Sequence, residues 1–181
     1  FAHCNNGDSA IGICQWRQSQ GCPSVLITTG KKPGKAARLI ASSLAAAVPG
    51  SLLENRGRRT ISSLMSKARR LHFSRFCTIS AREGKPHEIS FLSLEGEKGW
   101  SRLSPAIVVG KIANGSKQGC KFTQSKCLKI TGAKAKELFA LLLPRNSSDE
   151  TGSKITASAR KISIFVAKKK LLELGVSYEK Q

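Results

Sequence analysis

Acidic residues are scarce in this chain, whose 181 residues contain 11 Asp and Glu against 31 Lys and Arg, a formal net charge of +20. So basic a protein is poorly suited to cationic or neutral metabolites, and a polyanion is the expected partner. Two long windows hold no acid at all: 55–82 with eight basic residues and 98–136 with nine. Because a solvated surface normally interleaves both signs, this clustering favours nucleic acid as the polyanion.

Long hydrophobic runs and aromatic side chains are scarce as well. The longest aliphatic stretches, at 44–48 and 138–143, are far shorter than the roughly 20 residues that span a bilayer, so no transmembrane helix is expected. Aromatic residues make up 6% of the chain and form no RNP-like octamer, which argues against a base-stacking platform. We therefore expect recognition of backbone and shape. The 40% of hydrophobic residues still suffices for a folded domain.

Catalytic and metal-binding signatures are absent from the sequence. The three histidines have no nucleophile or carboxylate motif around them, and no G-x-S-x-G, H-E-x-x-H or paired-acid pattern occurs. The six cysteines form no C-x-x-C pair, and the set His3, Cys4, Cys14 and Cys22 matches no standard zinc finger. We expect no enzyme activity, no cofactor and no metal, with most cysteines as buried free thiols.

The pattern of apolar residues predicts alternating strands and helices behind a polar arm at 1–22. Strands are predicted at 25–29, 76–81, 88–94, 106–109, 122–130 and 161–167, with 100–103 as a further short one; helices at 34–48, 60–70 and 133–143; and a polar loop at 146–153. Residues 168–181 are ambiguous. A weak repeat is visible, since Thr29-Gly30 and Thr131-Gly132 each precede a basic helix start and an apolar helix that ends at a proline. Duplication and chance both remain open.

The first basic segment of interest follows the strand at 25–29 and opens a helix. It resembles the setting of a P-loop but has three residues between Gly30 and Gly34, and Ala36 stands where a hydroxyl is needed, so NTP hydrolysis is not expected. Four cations, Lys31, Lys32, Lys35 and Arg38, surround the helix start. They oppose the helix dipole, which favours a bound RNA phosphate over a merely solvated surface.

The second basic segment is the loop at 55–60. Its candidate RNA-binding residues are Asn55, Arg56, Arg58 and Arg59, because guanidinium groups can fork onto phosphates and another helix N-terminus follows. An ordinary basic loop is the alternative. Lys134, at the start of the second helix of the repeat, completes the predicted RNA-binding set.

Several short motifs, taken in chain order, resemble those of the Brix domain. The resemblance is carried by Val25-Leu26-Ile27-Thr28-Thr29, Lys32-Pro33, Asn55-Arg56-Gly57, the turn at 82–86 and the strand Ile89-Ser90-Phe91-Leu92. It covers 24–110 well and 111–167 loosely. Two departures stand out: Gly30 replaces the usual Ser after "LITT", and residues 94–99 replace the "LPxGPT" segment, as in the compact archaeal type.

This resemblance implies a fold and a function. Brix proteins are ribosome-assembly factors that bind rRNA. Their fold is of the α/β type, with helices packed on a mixed sheet (α+β). It consists of two related halves that are each similar to the anticodon-binding domain of class II aminoacyl-tRNA synthetases. The halves would be 23–110 and 111–181. Expected partners are rRNA and ribosomal or assembly-factor proteins, with no membrane and no small-molecule substrate.

Two other functions remain open, a permanent structural protein of a divergent mitochondrial ribosome and a tRNA- or nucleotide-handling enzyme. The expected compartment is the mitochondrion, because the sequence shows no long charged extensions, no initial Met and few acids. The nucleolus is the alternative.

Overall fold

The computed structural model describes residues 25–94, 99–114, 128–132 and 152–179. Within these ranges the chain forms two helices and one nine-stranded mixed sheet, an α+β architecture. In chain order the elements are β1 (Val25–Thr29), α1 (Lys35–Ala47), β2 (Leu52–Glu54), α2 (Ile61–Arg70), β3 (Arg75–Arg82), β4 (Lys85–Ser93), β5 (Ser101–Asn114), β6 (Leu128–Thr131), β7 (Ser153–Ala157), β8 (Lys161–Val166) and β9 (Lys169–Glu179).

The sheet has the strand order β2-β1-β3-β4-β5-β9-β8-β7-β6. β1 lies between β2 and β3 and is parallel to both, and β3, β4 and β5 continue as an antiparallel meander. On the other side β6 is parallel to β7, and β7, β8 and β9 form a second antiparallel meander. The two sets join through antiparallel pairing of β5 with β9.

β1 is buried along its whole length, which explains its uninterrupted apolar and Thr sequence. A parallel strand with neighbours on both sides and helices on both faces has no face to offer water. Val25 and Ile27 belong to the larger core, which includes α1, and Leu26 belongs to a smaller core on the opposite face.

α1 packs between the two sets of strands. Its buried side chains, including Ala37, Ile40 and Leu44, share one core with residues of β3 and β4 and with Ile155, Ile162 and Ile164 from β7 and β8. The Ser153 hydroxyl of β7 donates a hydrogen bond to the carbonyl oxygen of Ala47 at the end of the helix. α1 therefore connects the two meanders a second time, in addition to the pairing of β5 with β9.

α2 covers the other face of the first set of strands. Thr60 caps the helix, since its hydroxyl oxygen accepts a hydrogen bond from the amide of Ser63 at 3.1 Å. Leu64, Met65 and Ala68 pack on the strand residues Leu26 and Phe76 in the smaller core. The first set of strands is therefore covered by a helix on each face.

The structure confirms the predicted strand at 25–29 and the helices at 34–48 and 60–70, with ends within one residue. The strands predicted at 76–81 and 88–94 form β3 and β4. Both strands extend further towards the turn between them than predicted. The strand predicted at 161–167 is β8, and its residues Ile162, Ile164 and Val166 are buried together as expected.

Other predictions were wrong or incomplete. The segments 100–103 and 106–109 belong to one long strand, β5, because pairing with β4 and β9 continues across Pro105. The polar loop predicted to reach residue 153 ends earlier, since Ser153 opens β7. β2 and β9 were not predicted. The arm at 1–22 and the helix at 133–143 lie outside the described residues, as does the part of the predicted strand before Leu128.

Two further expectations concern membranes and thiols. No helix in the described ranges is long and apolar enough to cross a membrane. Cys77 is a free, fully buried thiol, and burial strongly raises its pKa, so it remains protonated and packs as a small apolar side chain. The other five cysteines lie outside the described residues.

Candidate nucleic-acid interface

The loops that follow β1 and β2 leave the sheet at the same edge. The two strands are parallel neighbours in which Thr28 pairs with Glu54, so their carboxyl ends meet. The first loop leads into α1, and the second leads into α2. We call residues 31–38 and 55–59 together the basic edge. It contains eight of the nine predicted RNA-binding residues, namely Lys31, Lys32, Lys35, Arg38, Asn55, Arg56, Arg58 and Arg59.

The turn between β3 and β4 lies against the basic edge. An ideal Cβ built on Gly34, the residue before α1, would lie 2.3 Å from the carbonyl oxygen of Gly84, so the turn packs directly on the start of the helix. This contact adds two exposed cations, Arg82 and Lys85, and one exposed acid, Glu83. The turn is evident from the sequence, but its position is not, because that position depends on the parallel pairing of β1 with β3.

The start of α1 has neither a side-chain cap nor an acid in its first turn. Gly34 is the N-cap residue and has no side chain that could accept a hydrogen bond from the free amides. Unpaired N–H groups at a helix start carry a partial positive charge, to which Lys35 adds a full one. The arrangement is suited to an anion such as phosphate.

The loop at 55–59 is shaped by its own arginines. Arg56 Nε donates to the carbonyl oxygen of Arg59 at 3.0 Å, and an Arg59 Nη donates to that of Asn55 at 2.6 Å. Gly57 takes a positive φ of 57°, which closes the loop. Arg58 is exposed and has no side-chain partner in the part of the chain that the structure describes, which leaves its guanidinium available to a ligand.

Glu54, the last residue of β2, anchors this loop to α2. Its carboxylate pairs with Arg59 at 2.6 Å and with Lys67 at 3.0 Å. Partial burial raises the pKa of Glu54, but the hydrogen bonds from Lys67 and Arg59 outweigh this effect, and the net pKa lies below its usual value. Arg59 therefore acts mainly inside the protein, and Arg58 is the residue of this loop that projects freely.

A depression of about 340 Å³ lies between α1 and β2 at the basic edge. Its lining includes Lys35, Arg38 and Asn55, which come from both predicted segments. Leu39 and Leu53 form an apolar part of the wall, and Leu53 is 40% exposed. The two segments thus share one concave, basic surface.

Some cations elsewhere in the described residues are paired with acids. Arg102 of β5 contacts Glu88 of β4. Lys161 and Lys170 both contact Glu173, at 2.7 and 2.6 Å, and these hydrogen bonds hold the pKa of Glu173 below its usual value. At the basic edge, six of the seven cations, all except Arg59, have no ion pair within the described residues.

Lys134, the ninth predicted RNA-binding residue, lies outside the described residues. Among the residues that the structure describes, no group of three or more His, Cys, Asp or Glu side chains could hold a metal ion.

No protein-family model and no curated protein sequence matches the chain. Solved structures do. A probable ribosomal biogenesis protein from Aeropyrum pernix K1 has a TM-score of 0.63 at 16% identity, over 87% of this chain and 96% of that protein. Mil, an archaeal Imp4-like protein, has a TM-score of 0.60 at 18% identity, over 86% of this chain and 99% of that protein. The chain shares the α+β fold of these two proteins.

Proposed function

We propose that this chain is a non-enzymatic ribosome assembly factor that binds structured rRNA through the basic edge. The observation that carries the proposal is the convergence of two cationic loops and an uncapped helix start at one edge of the sheet. Phosphate groups are the ligands that such a surface attracts. The two similar structures are described as a ribosomal biogenesis protein and an Imp4-like protein, which agrees with an rRNA ligand.

We also propose that the chain is a Brix-domain protein with duplicated halves, divided at 110/111, that are each similar to an anticodon-binding domain. Two observations support duplication. β1, β3 and β4 have the same order and relative directions as β6, β7 and β8. Gly30 and Gly132 each follow the first strand of the set and lie against the strand parallel to it, beside Ala81 and Ala157.

Binding to rRNA is tested by titrating the protein with fragments of structured rRNA at increasing salt. We expect the logarithm of the association constant to fall linearly with the logarithm of salt concentration, with a slope of about −0.9 for each phosphate contacted in a duplex. An affinity that does not change between low and high salt would contradict the proposal. Turnover of RNA or NTP by the protein would instead indicate a tRNA- or nucleotide-handling enzyme.

An assembly factor and a permanent ribosomal protein would use the same RNA-binding surface, so sedimentation has to separate them. We expect the chain to sediment with precursor particles and to be absent from mature subunits. Stable retention in mature subunits would support the structural protein of a divergent ribosome.

We propose the mitochondrion as the compartment. Crosslinking in cells followed by sequencing of the bound RNA would identify the rRNA and its compartment together. Mitochondrial rRNA is the expected product, and nuclear pre-rRNA would assign the protein to the nucleolus.

A further inference from the structure

The depression between α1 and β2 has an exposed apolar wall that binding of a paired RNA backbone leaves unexplained. Leu53 exposes 40% of its surface, and among the described residues the other large apolar side chain with comparable exposure is Trp100. Thr29 also lines the depression, and its hydroxyl has no hydrogen-bond partner in the part of the chain that the structure describes. The hydroxyl oxygen is not fully buried, so it can reach a ligand in the depression. A paired phosphate backbone would leave the apolar wall unused.

The remaining lining adds charge and an amide to these features. Lys35 and Arg38 are three residues apart on α1 and therefore lie on one face of the helix, at one side of the depression. The exposed amide of Asn55, at the end of β2, can both donate and accept hydrogen bonds. The depression's volume of about 340 Å³ falls within the usual range for ligand sites, about 300–1,000 Å³.

A second depression offers a contrast within the same protein. It has a volume of about 450 Å³ and is lined by Thr131, Gly132 and the lysines Lys161 and Lys170. Both lysines are paired with Glu173, which also lines it. Its cations are neutralised internally, whereas Lys35 and Arg38 have no side-chain partner in the described residues. Of the two, the first is the one with charge available for an anion.

We propose that the first depression binds one unpaired nucleotide. Lys35 and Arg38 contact its phosphate, Leu39 and Leu53 pack on its base, and Thr29 and Asn55 form hydrogen bonds with the base edge. The inference rests on the proposed function, because the nucleotide belongs to the bound RNA. A free mononucleotide has the same chemistry, and the experiment distinguishes the two sources.

The experiment compares three RNAs by fluorescence anisotropy: a paired duplex, the same duplex with a single bulged adenosine, and that duplex with an abasic residue at the bulge. The abasic RNA keeps the extra phosphate and the bend but lacks the base. We expect about tenfold tighter binding of the adenosine bulge than of the abasic bulge, the discrimination that a small apolar pocket can provide.

Variants assign this preference to the depression. Leu53→Ser and Thr29→Val should each reduce the preference for the adenosine bulge several-fold. Leu53 is exposed on an edge strand, and Val keeps the shape of Thr, so both variants should fold, as circular dichroism would verify. Trp100→Ser is the matched control, since it also removes an exposed apolar side chain. Trp100 precedes Ser101, which pairs with Ser93 at the strand ends opposite the basic edge. This substitution should leave the preference intact.

Equal affinity for the adenosine and abasic bulges would overturn the inference, as would an undiminished preference in both folded variants. If adenosine monophosphate alone binds saturably while the two bulged RNAs bind equally, the depression is a site for free nucleotide and RNA is not the source. Failure to bind any of the three RNAs would contradict the proposed function itself, and this inference with it.

Discussion

Gly34 is the residue through which the β3–β4 turn contacts the basic edge. Its φ of −67° is available to any residue, so the need for glycine is steric, since a Cβ would lie 2.3 Å from the Gly84 carbonyl oxygen. We expect Gly34→Ala to lower the free energy of unfolding by about 1–3 kcal/mol, the usual cost of overpacking, as urea denaturation would measure. RNA affinity should fall as well, because the turn with Arg82 and Lys85 must move.

Gly30→Ala is the matched control for this substitution. A Cβ at Gly30 would make ordinary contacts, the nearest at 3.7 Å from the amide nitrogen of Ala81. The change in the free energy of unfolding should stay below about 1 kcal/mol. Equal destabilisation by both substitutions would show that the contact between Gly34 and Gly84 is not the cause of the loss in stability.

Glu54 connects the loop at 55–59 to α2, and its effect depends on pH. Because its pKa is lower in the folded protein than its ordinary 4.5, the ion pairs with Arg59 and Lys67 stabilise the fold above that pH, and the contribution is lost as pH falls through the folded pKa. We expect Glu54→Gln to lower the free energy of unfolding by about 1 kcal/mol at pH 7. Urea denaturation at pH 7 and pH 3 should show this deficit shrinking in acid.

Glu83→Gln provides the comparison for Glu54. Glu83 is exposed in the β3–β4 turn and has no ion pair within the described residues, so its substitution should change stability by less than about 0.5 kcal/mol. A deficit for Glu54→Gln that persists unchanged at pH 3 would mean that packing, rather than charge, explains its effect.

At the scale of elements, α1 packs against both meanders and shares one core with them. Ile40 is fully buried in the core that α1 shares with β3, β4, β7 and β8. We expect Ile40→Ala to lower the free energy of unfolding by about 2–5 kcal/mol, with one cooperative transition monitored by both far-UV circular dichroism and tryptophan fluorescence.

Ser42→Ala, on the exposed side of α1, is the control and should change stability by less than about 0.5 kcal/mol. Two separate transitions in the Ile40→Ala protein would show that the meanders unfold independently, contrary to the packing of α1 between them.

The sequence predicted the elements whose patterns are local, and missed those that pairing creates. The Thr60 cap and the apolar positions of α1 and α2 are local signals, and both helices were predicted within one residue. β2 has only three residues and is a strand because β1 lies beside it. β9 begins with charged residues, although Leu172, Leu174 and Val176 alternate at buried positions, a signal that could have identified it.

At the scale of the whole molecule, the candidate site was predictable in its residues but not in its shape. Both basic segments were recognised from charge and from the helices that follow them. That they share one depression follows from the parallel pairing of β1 and β2, and the contribution of the β3–β4 turn follows from the pairing of β1 and β3. Long-range pairings of this kind have no local signature in a single sequence.

The distribution of charge, rather than its total, should determine RNA affinity. Lys31, Lys32 and Arg58 are exposed at the basic edge, whereas Arg70, Lys154 and Arg160 are exposed on α2, on β7 and after β7. Substituting either set with Gln lowers the net charge by the same amount. We expect the first triple variant to lose at least about tenfold in affinity for structured rRNA and to reduce the salt slope by about three, roughly one for each phosphate contact.

The second triple variant should keep its affinity within about threefold and its salt slope within about one, because cations that touch no phosphate release no counterions. Both quantities come from the same titration of rRNA fragments across a range of salt concentrations. Equal losses in the two variants would mean that the protein attracts RNA through its net charge alone, and the basic edge would then have no special role in docking.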